Sequence, residues 1–148
     1  YMSFVNDKSI LSRKCRRSLT NEGNFIAQKL LERLARTKHG VGLAANQVGI
    51  DASVCVIKVT KPIILINPEI VGKFKKSFYQ ESCLSFPGDY VITERWMDIV
   101  VKADNHKNHL FFSFDKNALE CVCVQHEIDH LNGITMFDRA VDKELFDV

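Results

Sequence analysis

His126, Glu127 and His130 stand in the order His-Glu-x-x-His. On a helix of about 3.6 residues per turn the two imidazoles share one face, while Glu127 is turned about 100° away. Histidines at this spacing can hold a zinc- or iron-type ion, with the adjacent carboxylate as general base toward the water such an ion activates. The plainer alternative is a helix carrying two satisfied core histidines. A catalytic ion usually takes three protein ligands and keeps one position open, so a third ligand is required. Asp138, Asp142 and Glu144 downstream and Cys83 upstream are the candidates.

These side chains must be carried by a helix with marked ends. Asn117 can cap its start, with Glu120 three positions on to complete a capping box, and Gly133 falls where a left-handed residue ends a helix. The apolar run Cys121-Val122-Cys123-Val124 leads into His126 almost without polar interruption, which places the helix inside the protein. A second helix is expected from Asn24 to His39. Phe25 or Ile26, Leu30 or Leu31, and Leu34 form its apolar stripe, and Gly40 ends it. The segment GVGLAANQVGI from Gly40 surrounds one amide, Gln47, with small residues that permit close approach.

Strands are expected at Val54 to Val59, Ile63 to Ile66, Ser77 to Ser85, Tyr90 to Asp104 and Leu110 to Phe114. The fold class is α+β, with short antiparallel or mixed strands wrapped around one buried metal-binding helix and a second, amphipathic helix outside. Met2 to Asn21, with Arg13, Lys14, Arg16 and Arg17, reads as a solvated surface segment.

Composition narrows the function classes. The 148 residues, 46% of them apolar, suit one core and therefore one domain over 1–148. Twenty basic against eighteen acidic residues give a net charge of +2, which argues against strong attraction to nucleic acid or an anionic membrane. Five scattered cysteines, Cys15, Cys55, Cys83, Cys121 and Cys123, read as reduced, buried thiols. No signal pattern and no apolar run near 20 residues is present, so a cytoplasmic protein is expected. Tyr1 ahead of Met2 reads as a remnant outside the natural chain.

Three motifs in order resemble those of the peptide deformylase family. Gly40 to Gln47 is similar to its GxGLAAxQ, Glu81-Ser82-Cys83-Leu84-Ser85 to its EGCLS, and Gln125 to His130 to its QHExDH. The resemblance runs from about Asp7 to Ala140, with Leu11 at an early leucine position. It implies a metal held by Cys83, His126 and His130, with Glu127 as catalytic acid and base. It further implies Gln47 and the Leu84 backbone N–H as donors to the developing oxyanion. The activity implied is hydrolysis of the N-formyl group from the initiator methionine of new polypeptides, releasing formate. The ion implied is Fe2+, with Zn2+ or Ni2+ able to substitute. N-formylmethionyl nascent peptides would bind as an added strand along Val41 and Gly42 and along the stretch after Ser85. The methionine would enter a pocket to which Val41, Tyr79, Leu119, Val122 and Cys123 contribute, and Glu81 would line the substrate site while orienting its surroundings. A monomer with transient ribosome contact, and no sequence-specific nucleic-acid or membrane binding, completes the expectation.

Two features depart from the family pattern. Ser82 stands at the usual glycine, adding a side chain at the rim of the site. The chain also stops soon after Met136 to Arg139, which reads as a short form without the long C-terminal helix of many bacterial members. Two rival functions use the same residues: a His-Glu-x-x-His metallopeptidase with a carboxylate ligand from the tail, and a formyl-peptide-binding module without turnover. The first leaves Gln47 and Cys83 without roles, and the second leaves Glu127 without one.

Overall fold

A computed structural model describes residues 2–141 of the chain. In chain order they form α1 (Lys8–Leu11), α2 (Thr20–Leu34), β1 (Gly42–Ala44), a 3-10 turn (Ala45–Val48), β2 (Val54–Ile57) and β3 (Ile63–Ile66). There follow β4 (Glu69–Cys83), β5 (Phe86–Lys102), β6 (Leu110–Ser113), α3 (Phe114–Leu131) and a second 3-10 turn (Met136–Arg139). Two antiparallel three-stranded sheets result, one ordered β1-β2-β3 and the other β4-β5-β6.

Strand periodicity explains the layering, since successive residues of a strand face opposite ways. In β2, Cys55 and Ile57 join Leu65, Ile99, Val101, Phe112, Val124 and Ile128 in a core shared by the two sheets and α3. Val54 and Val56 face the other way, onto Ile26, Ala27, Leu30 and Leu34 of α2. The first sheet is thus covered by a helix on each face, and α3 lies between the sheets. Each fully buried aliphatic side chain here contributes about 1.5–3 kcal/mol from removal from water. Every residue of α3 from Cys121 to Leu131 is buried.

The start of α3 has a physical reason visible in Asn117. Its backbone leaves the helical region, with φ −166° and ψ 101°, and its Oδ1 accepts from Glu120 N at 3.0 Å. A short first turn, capped by Ser113 Oγ accepting from Lys116 N at 3.2 Å, therefore precedes the helix that Asn117 caps. The reciprocal half of the capping box is not formed, because the Glu120 carboxylate accepts instead from Thr60 Oγ1 at 3.4 Å. At the far end Gly133 has φ +77°, and a Cβ there would lie 2.5 Å from the Ser12 carbonyl oxygen.

Other boundaries moved. The second helix spans Thr20–Leu34 rather than Asn24 to His39. The chain turns out of it well before Gly40, with Thr37 Oγ1 bonded to the Leu34 carbonyl and accepting from Gly40 N. Ile26, Leu30 and Leu34 face inward, while Phe25 is 65% exposed. The strands β4 and β5 are 15 and 17 residues long. They begin well before the expected Ser77 and Tyr90 and end two residues before the expected Ser85 and Asp104, the early parts being hidden from apolar alternation by polar, exposed residues. The segment from Met2 to Asn21 is not merely solvated: Leu11 is fully buried, and Cys15 N donates to the Leu131 carbonyl at 2.9 Å.

Candidate metal centre

Two elements bring the chemistry together. The His-Glu-x-x-His segment of α3 places His126 and His130 with ring centroids 4.9 Å apart, and their Nε2 atoms are separated by 3.2 Å. The last residue of β4, Cys83, sets its Sγ 3.4 Å from His130 Nε2. Among the described residues these three form the group of potential ligands that converge on one point, each buried, with their donor atoms within 4.8 Å of one another. Asp138 lies elsewhere, with its Oδ2 accepting from Thr135 N at 2.8 Å. Asp142 and Glu144 lie outside the described residues.

The donor set fits a metal ion. His126 Nδ1 is 2.8 Å from Glu81 Oε1. A carboxylate only accepts, so Nδ1 carries a ring proton and Nε2 is the atom turned toward His130. Burial opposes charge on His126, but the bonds to Cys83 and Glu81 and the Glu127 carboxylate raise the His126 pKa well above the usual histidine range, so an ion would take the place of the Nε2 proton. Two atoms bound at about 2.0–2.3 Å to one tetrahedral ion stand roughly 3.3–3.6 Å apart, close to the separations found here. His130 Nδ1 has no hydrogen-bond partner among the described residues. Burial and the neighbouring His126 hold its pKa well below the usual histidine range, in the neutral form that ligates metals.

Behind His126 lies a buried ionic network that the sequence reading did not single out. Glu81 Oε1 accepts from His126 Nδ1 and from Arg95 Nη2 at 2.9 Å, and Oε2 accepts from Arg95 Nε at 2.6 Å and from the Thr93 hydroxyl. All four acceptor positions are taken. Burial opposes ionisation of Glu81, but the bonds from His126 and Arg95 outweigh it and lower its pKa to about 2. Glu81 therefore lines the cleft with its carboxylate already committed to His126 and Arg95. Thr93, Arg95, Ile99 and Val101 are buried at alternate or fourth positions along β5, so strand periodicity was a signal that Arg95 points inward.

Glu127 lines the same cleft as His126. Its Oε1 has no partner among the described residues, and its Oε2 lies 3.9 Å from Cys123 Sγ. Burial, set against the charge of His126, raises its pKa to about 7. Gly42 of β1 packs directly on this carboxylate: a Cβ there would lie 2.5 Å from Cys123 Sγ and 2.7 Å from Glu127 Oε2. Glycine is required at that crossing.

Gln47 is oriented by its neighbours. Ala44 N donates to its Oε1 at 2.9 Å, which turns Nε2 toward Ser85 Oγ at 3.2 Å and Cys83 Sγ at 3.5 Å. Leu84 occupies the turn after Cys83, and its backbone N–H has no partner among the described residues. Ser82 sits in the strand irregularity between Glu81 and Cys83 and is exposed. Its φ is not positive, so a side chain is accommodated there without backbone strain.

A cleft of about 540 Å³ opens over these groups. Val41, Gly42, Tyr79, Glu81, Leu119, Val122 and Cys123 all line it, as do Gln47, Cys83, Leu84, His126 and Glu127. Phe4, His39 and Tyr90 also line it without having been expected. All five cysteines are buried free thiols, and among the described residues no helix is long and apolar enough to cross a membrane.

Known proteins match this arrangement. The sequence model described as polypeptide deformylase matches residues 4–145. The chain is 38% identical over 118 residues to the peptide deformylase of Hydrogenovibrio crunogenus, covering 75% of this chain and 69% of that relative. To the peptide deformylase of Neisseria meningitidis it is 41% identical over 104 residues, covering 68% of this chain and 62% of that relative. Its fold is similar to the peptide deformylase of Thermus thermophilus, with TM-score 0.84, 30% identity, and 97% of this chain and 87% of that one covered. The deformylase of the Vibrio parahaemolyticus bacteriophage VP16T, solved in complex with actinonin, gives TM-score 0.80 at 29% identity and covers 90% of this chain and 99% of that one.

Proposed function

The chain belongs to the polypeptide deformylase family, and from that premise we infer that it hydrolyses the formamide of N-formylmethionyl peptides, leaving formate and a free amino terminus. The observation that carries the reading is the meeting of Cys83 Sγ, His126 Nε2 and His130 Nε2 at the floor of a cleft that also holds Glu127 and Gln47. Cys83, His126 and His130 would hold the ion. When bound, it supplies Lewis-acid polarisation and makes a nucleophilic water available near neutral pH.

The chain's own residues do the rest. Glu127, which lines the cleft and whose buried Oε1 has no partner among the described residues, takes the proton of the attacking water and returns it to the departing nitrogen as the C–N bond breaks. Gln47 Nε2 and the Leu84 N–H donate to the oxygen that gains charge during attack, and Ala44 fixes the amide of Gln47 in the donating orientation beforehand. Glu81 holds the His126 ring.

Substrate binding follows from the sheet order. β1 is an edge strand, bonded to β2 on one side. Its other side runs along the cleft at Val41 and Gly42, where an extended peptide can add as a strand. Tyr79, Leu119, Val122 and Cys123 line the apolar part of the cleft, which suits the methionine side chain. We assign ferrous iron as the working ion, because a thiolate with two imidazoles suits it and the family pattern indicates it, with zinc or nickel able to substitute. One catalytic domain acting as a cytoplasmic monomer on nascent chains, with transient ribosome contact, is the setting this reading gives.

The test is formate release from formyl-Met-Ala-Ser by anaerobically prepared, iron-loaded protein, beside the acetylated peptide. Release from the formyl peptide alone supports the reading, and cleavage of internal peptide bonds instead would support a metallopeptidase. Faster inactivation by peroxide of the iron form than of the zinc form checks the choice of ion, since zinc has no redox chemistry.

A further inference from the structure

The ionic network behind His126 does not stop at Arg95. The guanidinium grips Glu81 with Nε and Nη2, at 2.6 and 2.9 Å, and reaches Asp129 Oδ2 with Nη1 at 2.6 Å. Arg139 then grips Asp129 from the far side, Nε to Oδ2 and Nη2 to Oδ1, both at 3.1 Å. The Arg95 and Glu81 side chains are 3% exposed and Asp129 is 10% exposed, whereas Arg139 is 45% exposed. An unbroken line of charge-assisted bonds thus runs from the protein surface to Nδ1 of a metal ligand.

A second set of contacts holds the outer end of that line. The turn Met136–Arg139 is closed by Asp138 Oδ2 on Thr135 N, and Ile134 N bonds the Asp129 carbonyl at 2.9 Å. The chain then pairs Ala140 with Thr93 and donates from Val141 N to the Ile92 carbonyl at 2.8 Å. Thr93 is the residue whose hydroxyl meets Glu81. The turn is therefore fastened to β5 beside the residues that hold the Glu81 carboxylate.

Resting on the metal-centre reading above, we propose that Arg95, Asp129 and Arg139 are positioning residues that tie the C-terminal turn at Met136–Arg139 to the metal ligand His126, so that a change at an exposed guanidinium is felt as looser metal retention. Partners beyond the direct ligands orient the ligand ring and raise its basicity, and their loss typically costs about 10–100-fold in metal affinity. None of the three lines the cleft. They act through Glu81 and leave peptide binding alone. The planar fork of arginine is essential to the line, since a lysine in the Arg95 place keeps charge but cannot bond Glu81 twice and Asp129 once in one plane.

The experiment uses metal-loaded protein and reads the rate of zinc release to a colorimetric chelator, together with the ligand-field spectrum of the cobalt form and kcat and KM on formyl-Met-Ala-Ser. Glu81→Gln should release zinc about 10–100-fold faster, Arg95→Lys less fast than that, and Arg139→Ala about three- to tenfold faster than wild type, below the range for a direct partner. All three should shift the cobalt spectrum and lower kcat with KM unchanged. Arg17→Ala breaks an exposed pair with Asp104 and should change nothing. Circular dichroism at the assay temperature separates metal loss from unfolding. Release rates of Arg95→Lys and Arg139→Ala equal to wild type overturn the proposal while leaving the metal centre intact, as does acceleration that only accompanies unfolding. Wild-type protein whose metal content does not depend on Cys83 would instead overturn the metal-centre reading, and the proposal with it.

Discussion

The floor and the rim of the cleft are built on opposite terms. At the floor, Gln47, Glu81, His126, Glu127 and His130 are each at most 7% exposed, and a neighbouring group fixes the orientation of Gln47, His126 and Glu81. At the rim, Tyr90 is 60% exposed and Leu119 is 39% exposed, with Val41 and Tyr79 half-buried. A buried polar group is costly unless its partners are in place, so the floor admits little variation. An apolar wall facing a strand-like peptide sets only loose limits. The contrast teaches that the reacting groups are held tightly while the wall of the cleft around them is not.

Substitutions at the floor should therefore cost far more than substitutions at the rim. The largest effect is expected for Cys83→Ala, which removes one of three converging donors; metal content and turnover should both fall to background by elemental analysis and formate assay. Asp138→Ala should keep its metal, and the opposite pair of results would replace Cys83 by a carboxylate. Gln47→Ala should lower kcat by about 10²–10³-fold with metal retained, the usual loss on removing one oxyanion donor. Gly42→Ala drives a methyl group against Cys123 and Glu127. A displacement near 1 Å at the base costs about 10²-fold, so kcat should fall by roughly that factor. Leu119→Ala, at the rim, should raise KM by less than about tenfold and leave kcat alone, since it trims one partly exposed apolar contact. A larger effect at Leu119 than at Gln47 would invert the comparison.

Much of the floor was legible in the sequence because its residues are joined by local rules. Asn117 and Gly133 mark the ends of the helix that carries His126, Glu127 and His130, and those signals depend only on backbone groups nearby. The positions of Cys83 and Gln47 beside that helix came from the family resemblance, since no local rule brings a strand end and a 3-10 turn to one point. The full length of β4 and β5 was hidden by Lys73, Lys75 and Lys76 on one strand and Pro87, Gly88 and Asp89 on the other. Such residues are depleted in strands in general, yet an exposed edge accepts them. Arg95 and Asp129 were missed for a related reason. Charged residues read as solvated, and only their mutual pairing makes burial tolerable.

The central claim is that Glu127 moves the proton and does not hold the ion. Glu127→Gln keeps the size and packing of the side chain against Gly42 and Cys123 but cannot accept a proton. Metal content and kcat measured on one preparation of this variant test the claim directly. Full metal occupancy with turnover lowered by about 10²–10⁴-fold is the result expected for a positioned general base. Near-normal turnover, or loss of the metal, would contradict it.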